Sequence, residues 1–191
     1  MAKPAPRSRQ GTMKRLYLLR HTKSSWKEDD LSDHERPLAP RGRRAAPPIG
    51  VYLRDHAILP DLVLASSARR TRETWELVSL MLPKPPKVVY EDKLYLANAD
   101  ELLVRLRQVD DEIDSVLIVG HNPGMQELAE RLFGDGDSAG LAKLRGKFPT
   151  GGLALYQFDV DRWEELLPGI GRLTDFDLRL HPPFTTLSVA C

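Results

Sequence analysis

A three-layer α/β/α sandwich with a mostly parallel central sheet is the fold class this sequence predicts, and three observations predict it. Short apolar runs alternate along the chain with longer segments of mixed polarity, the order that repeated strand–helix units produce. The clearest run, residues 115–119 (Ser-Val-Leu-Ile-Val), is apolar at consecutive positions, which suits a strand covered on both faces. The length of 191 residues suits one domain with a sizeable core.

The elements follow in order. Residues 16–19 (Leu-Tyr-Leu-Leu) make the first strand, which stops abruptly at Arg20-His21. Residues 27–44 are polar and charged and read as a long, mostly irregular loop, a length that in compact domains goes with function. A helix follows over 41–56, in which Pro47-Pro48 demands a kink or a break. Residues 61–65 (Asp-Leu-Val-Leu-Ala) form the second strand, ending at Ser66-Ser67. The next helix, 68–81, carries Trp75, Leu77, Val78 and Leu82 on an imperfect apolar face until residues 83–86 stop it. Residues 88–90 are a brief strand and 91–97 a connection. Asn98 with Glu101 three residues on is a capping pair, opening a helix through Gln108. The run 115–119 ends at Gly120-His121-Asn122-Pro123-Gly124, and a helix follows to Phe133. Residues 134–152 read as loop with room for one short helix, and 153–158 and 173–180 as closing strands.

Composition narrows the function. Lys and Arg number 28 against 27 Asp and Glu, so nothing in the bulk charge implies a nucleic acid or membrane partner. The one cysteine, Cys191, rules out an internal disulfide and is compatible with a reducing, cytoplasmic compartment. No apolar stretch approaches the roughly 18 residues that a membrane span needs. Residues 1–13 carry Lys3, Arg7 and Arg9 with no apolar segment behind them, and read as a disordered basic tail before a domain over 14–191. Met13 is a candidate start of translation. The five histidines and the cysteine show no metal-ligand spacing, so neither a metal nor a cofactor is expected.

Three strands end alike: at Arg20-His21, at Ser66-Ser67-Ala68-Arg69-Arg70 and at Gly120-His121-Asn122. In a parallel sheet these ends share the edge where open α/β folds keep ligands, so two histidines and at least two arginines converge. Guanidinium groups bind phosphate oxygens in a fork and stay charged at any relevant pH. Histidine can attack phosphorus and hold it covalently for transfer to water. Phosphoryl transfer needs mainly positioning and charge neutralisation, which arginines and backbone amides supply.

From Lys14 to about Leu180 the chain resembles the histidine phosphatase superfamily, the phosphoglycerate-mutase-like fold, and within it the small bacterial phosphohistidine phosphatases of the SixA type. Short motifs in a specific order carry the resemblance: Arg20-His21, Lys-Ser-Ser-Trp at 23–26, the loop from Arg36-Pro37-Leu38 to Arg41-Gly42, His-Asn-Pro-Gly at 121–124 and Pro149-Thr150-Gly151-Gly152. The resemblance implies that His21 is the phosphorylated nucleophile and Arg20 a phosphate clamp. Ser66, Arg70 and Thr74 reproduce the family's spacing, so the second clamp is Arg70 rather than Arg69. His121 matches the second family histidine, which hydrogen-bonds the transferred group, and Ser24 falls where a hydroxyl meets the phosphate. Asn122 joins the expected substrate-binding set. Thr22 stands where most of the superfamily has Gly or Ala, and either adds a phosphate contact or fills space. Arg36 either reaches the phosphate from the long loop or pairs with Asp33.

One departure bears on the substrate. Mutases and many phosphoesterases of the superfamily keep a glutamate after the third strand to protonate a leaving alkoxide. Only Glu91-Asp92 lie nearby, in a context that does not match, so no acid is assigned. An alkoxide benefits from a proton in the transition state by about 10²–10⁴-fold, whereas imidazole is far less basic and leaves without a dedicated acid. The expectation is a metal-independent phosphatase acting on a protein phosphohistidine, with a small phosphorylated metabolite as side substrate. Its alternatives are a weakly active module that recognises phosphorylated partners, and a small-molecule phosphomonoesterase or mutase. Elsewhere His34 and His56 read as solvated, His181 as structural or exposed, and Trp26 and Trp75 as core. The loops 23–44 and 134–149 are the expected pocket walls.

Overall fold

A computed structural model of the chain describes residues 13–27 and 30–177. The expected basic tail up to residue 12, the end of the last predicted strand, His181 and Cys191 lie outside the described residues. The described strands are β1 (Lys14–Arg20), β2 (Leu62–Ser66), β3 (Lys87–Glu91), β4 (Ser115–Gly120), β5 (Phe133–Gly136), β6 (Leu153–Phe158) and β7 (Gly171–Asp177). They form one sheet in the order β3-β2-β4-β1-β6-β7-β5. β3, β2, β4 and β1 run parallel, while β6 is antiparallel to β1 and to β7.

The side-chain alternation of the strands divides the core in two. Leu16, Leu18, Leu64, Val116 and Ile118 point to one face, under α3 (Ala99–Arg107), α4 (Gly124–Leu132) and α5 (Ser138–Gly146). Tyr17, Leu19, Val63, Ala65, Leu117 and Val119 point to the other, under α1 (Pro40–Asp55) and α2 (Arg69–Ser79). β4 is buried at every residue, as its unbroken apolar run predicts. Each such buried aliphatic side chain contributes roughly 1.5–3 kcal/mol to folding.

Three expectations about elements need correcting, and one is met in detail. Of the kink or break expected at Pro47-Pro48, the break does not occur: α1 runs through both prolines as one helix. The two carbonyls that lose their donors belong to Arg43 and Arg44, both exposed residues on the solvent side of the helix, while Ala46, Ile49 and Leu53 stay buried on the sheet. The long loop is shorter than expected, because α1 begins at Pro40 and a 3₁₀ turn occupies Asp33–Glu35. β5 lies in a segment expected as loop; its Phe-Gly-Asp-Gly sequence has no apolar alternation, and it forms by pairing with β7 at the sheet edge. The Asn98–Glu101 capping box forms in full, with Glu101 N donating to Asn98 Oδ1 at 3.0 Å and Asn98 N donating to Glu101 Oε2 at 2.8 Å.

Candidate active site

The parallel register brings the predicted residues together. Arg20 lies opposite Gly120 in the β1–β4 pair, so the residues that follow, His21 and His121, leave adjacent strands at the same level. His21 N donates to Gly120 O at 3.1 Å, and the two imidazole rings stand 5.2 Å apart between centroids. Arg70, on the first turn of α2, reaches the same edge, which a cavity of about 220 Å³ occupies. Its walls include Arg20, His21, Ser24, Arg36, Arg70 and His121, with Asn122 beside them. The 149–152 turn closes one side. Gly151 N donates to Arg20 O and His21 O at 3.0 and 3.1 Å, and its φ of +78° is the reason a glycine stands there.

The tautomer of His21 follows from its partner. Nδ1 lies 2.7 Å from Thr22 O, and a carbonyl can only accept, so Nδ1 carries the proton and Nε2 keeps its lone pair. Burial pulls the His21 pKa down to about 3, and Arg70, Arg20 and Arg36 add to the shift against the Thr22 hydrogen bond. Burial also takes His121 down to about 2, with the charges of His21 and Arg70 next in importance. Both rings are neutral at physiological pH. His121 Nε2 meets Ser66 Oγ at 2.8 Å, while its buried Nδ1 has no partner among the described residues. Arg20 Nε and Asn122 Oδ1 are also buried without partners. Buried polar atoms left unpaired are costly, and here they belong to residues that line one cavity. Such a set can hold an anion and present an unprotonated imidazole nitrogen to it.

Residues 16–95 match the model of the histidine phosphatase superfamily (branch 1). An uncharacterised protein of Mycobacterium leprae is 36% identical over 152 residues, covering 78% of this chain and 91% of that one. The chain belongs to the histidine phosphatase superfamily. Among solved structures, a candidate phosphohistidine phosphatase SixA from Nakamurella multipartitia is similar with a TM-score of 0.75 at 30% identity, covering 86% of this chain and 95% of that one. Another from Agrobacterium tumefaciens gives a TM-score of 0.73 at 32% identity, covering 86% and 97%. The protein is therefore a phosphatase of the histidine type with the phosphoglycerate-mutase-like fold.

Within this histidine phosphatase the expected residues divide. Arg20, His21, Ser24, Arg36, Arg70, His121 and Asn122 meet at the cavity. Thr22 does not: it is fully buried, its N donates to Thr74 Oγ1 at 3.1 Å and its hydroxyl lies 3.3 Å from the same atom. The hydroxyl fills space, and the functional part of Thr22 is the carbonyl that sets the His21 tautomer. Arg36 forms the Asp33 pair and also lines the cavity. Its Nη1 pairs with Asp33 Oδ1 at 2.6 Å while Nη2 donates to Ser24 Oγ at 2.7 Å on the cavity wall. Trp26 corrects the expectation of a core residue: it is 70% exposed, and the Arg36 guanidinium lies 3.2 Å from its ring centroid. Trp75 is core, at 2% exposure. His56 stacks on Tyr52 at the exposed end of α1. His34 is less solvated than expected, since its Nε2 contacts Ser67 Oγ at 2.9 Å.

Two contacts of Arg70's surroundings were not foreseen from the sequence, which pairs Asp33 with Arg36 alone and gives Tyr95 no role. Asp33 takes the fork of Arg70, with Nη1 on its carbonyl at 2.5 Å and Nη2 on Oδ2 at 3.0 Å, besides its pair with Arg36. Tyr95 donates to Asp33 Oδ2 at 2.6 Å and sets its ring edge-on to His121. Partial burial raises the Asp33 pKa, but the Tyr95 and Arg36 hydrogen bonds and the Arg70 charge outweigh it and bring the value to about 2. Asp33 is thus a carboxylate, not an acid, at neutral pH. Glu91, the nearest carboxylate by sequence, is held by Arg105 at 2.7–3.0 Å. Among the described residues no group of three or more His, Cys, Asp or Glu is placed to hold a metal, and no helix is long and apolar enough to cross a membrane.

Proposed function

We propose that this phosphatase hydrolyses a protein phosphohistidine through a covalent phosphohistidine on His21 Nε2, without a metal. The observation that carries the reading is the neutral His21, held as the Nδ1–H tautomer, facing three arginines in a cavity without a protonated carboxyl group.

In the first step the Nε2 lone pair attacks phosphorus. The substrate ring, protonated by solvent on its other nitrogen, leaves as neutral imidazole, the P–N bond breaking with its electron pair on the departing nitrogen. Arg20, Arg36 and Arg70 neutralise the phosphoryl oxygens, the unpaired Arg20 Nε supplying one donor. Arg70 gives up part of its fork to Asp33 in exchange for phosphate oxygens. With the Ser66 hydroxyl donating to His121 Nε2, His121 Nδ1 carries a proton and offers a further donor. In the second step water attacks the phosphorus, the P–Nε2 bond breaks and returns its pair to His21, and the water proton goes to solvent.

Among the described residues no acid is poised at the cavity, and this selects the leaving group. Neither Asp33, at about 2, nor the ion-paired Glu91 is poised to protonate an alkoxide, whereas imidazole (unperturbed pKa about 6.5) needs no such help. A small phosphorylated metabolite is a slower side substrate on this reading, and a mutase is disfavoured for the same reason. The intact nucleophile weighs against a module that only binds phosphate. A cytoplasmic setting goes with the proposal, as the sparse cysteine usage suggests.

Mass measurement after a rapid quench at neutral pH, with an aryl phosphate as substrate, tests the intermediate. One phosphoryl group on wild type, lost in acid and absent from His21→Ala, is expected; turnover without an adduct site at His21 would overturn it. Faster turnover of a sugar phosphate than of a phosphohistidine peptide would overturn the substrate.

A further inference from the structure

Beside the catalytic cavity lies a second, larger one of about 350 Å³, between the start of α1 and the 147–150 loop. The two share Arg20, Lys23 and Thr150 as walls. Arg41 and Lys147 complete its charged lining, so four cations and, among the described residues, no carboxylate surround it. None of the four is ion-paired among the described residues, whereas Arg36, Arg43, Arg69, Arg70 and Arg105 all hold carboxylates. The chain as a whole carries a formal charge of only +1, so this concentration is local.

Like charges in a concave site repel one another and focus a positive field into the space between them. Of the four, only Arg20 and Lys23 also face the catalytic cavity; Arg41 and Lys147 are surplus to the binding of the transferred phosphoryl group. Their unpaired charges suit a second anion held a short distance from the first. The other side of the catalytic cavity points to the source of that anion. Trp26 and Leu96, 70% and 51% exposed, stand on its rim. Large exposed apolar side chains beside a shallow site are anchors for a protein surface rather than for a small bisphosphate.

We propose that this basic cleft binds an acidic side chain of the phosphoprotein substrate, an Asp or Glu beside the phosphohistidine, with Arg41 and Lys147 as its specificity-determining contacts. The inference rests on the phosphohistidine reading above.

The test uses two phosphohistidine peptides that differ only in Glu or Gln at the flanking positions, with wild type and an Arg41→Gln/Lys147→Gln variant. Wild type prefers the Glu peptide by about tenfold in kcat/KM at low salt, the size two exposed charge contacts supply. The preference sits in KM and fades as salt screens it. It falls to near one in the variant, while turnover of an aryl phosphate is unchanged. A ratio near one in wild type, or an undiminished ratio in the variant, would overturn the proposal with the phosphohistidine reading left standing. If neither peptide turns over while the aryl phosphate does, the phosphohistidine reading itself has failed. A sugar bisphosphate compared with its monophosphate then reads the cleft alone, and a preference lost in the variant would replace the acidic side chain with a second phosphate.

Discussion

The two buried histidines should make the stability of this protein fall steeply on mild acidification. His21 and His121 have folded-state pKa values of about 3 and about 2, far below the unfolded value of 6.5. Between those limits the unfolded chain binds a proton at each site that the folded chain does not, so unfolding gains as pH falls and stability rises with pH. The size of the effect over a chosen window does not depend on the exact folded values, provided both lie below the window. At pH 5.0 the unfolded chain is 1.5 pH units below its own histidine pKa, which costs the fold about 2 kcal/mol per histidine relative to pH 7.5. The two together give about 4 kcal/mol, a large part of the 5–15 kcal/mol of a typical domain. Asp33 is lowered in the folded state, so its contribution is present above pH 4 and lost only below it, outside the window. Urea unfolding followed by tryptophan fluorescence at the two pH values measures the effect, in a buffer free of phosphate, which would occupy the site and favour the charged rings. His21→Asn and His121→Asn should each halve the pH dependence, and because the difference is taken within one protein, any constant loss from the substitution cancels. Equal pH dependence in wild type and both variants would refute the argument.

Other substitutions probe the cavity piece by piece. Thr22→Val removes a hydroxyl that faces Thr74 but keeps the carbonyl that orients His21, so kcat for an aryl phosphate should stay within about threefold while stability drops by about 1 kcal/mol in urea unfolding. Arg70→Lys replaces a fork by a point charge; kcat/KM should fall by about 10²-fold in steady-state assays, more than a lost surface pair would explain. Asp33→Asn frees Arg36 and Arg70 from an anionic competitor. Inorganic phosphate should inhibit the variant more tightly, by a few-fold in Ki because Asp33 is partly exposed. Gly42→Ala would set a Cβ 2.1 Å from Lys23 O, so it should cost about 1–3 kcal/mol and lower Tm by several degrees.

The sheet and its functional edge were legible because their signals are local and redundant. Residues 16–19 and 115–119 are too apolar to be anything but buried, and parallel pairing then brings the residues after them to one edge. What was not legible depended on partners that sequence does not announce. Trp26 looks like core by residue type, yet it is covered on one face by a guanidinium from a loop ten residues away. β5 has no strand pattern of its own and exists because β7 offers an unpaired edge. The Pro47-Pro48 break failed to appear because the rule concerns lost donors, and the orphaned carbonyls belong to exposed residues. Asp33 and Tyr95 sit in a polar loop and a short connection with no periodicity, and only the folded chain joins them to Arg70.

Charge bookkeeping at the site connects the two proposals. Three arginines, Lys23, two neutral imidazoles and the Asp33 carboxylate paired to the arginines give the catalytic cavity a charge near +3. A phosphoryl dianion brings that close to balance, at about +1, which favours transfer through a transition state whose charge lies on the phosphoryl oxygens. Asp33 limits the repulsion among the arginines. Arg41 and Lys147 line only the second cavity and have no role in the chemical step. Their charge is available only to something else carried by the substrate, and it is this surplus, next to a cavity already brought close to balance by one phosphoryl group, that calls for a second anion.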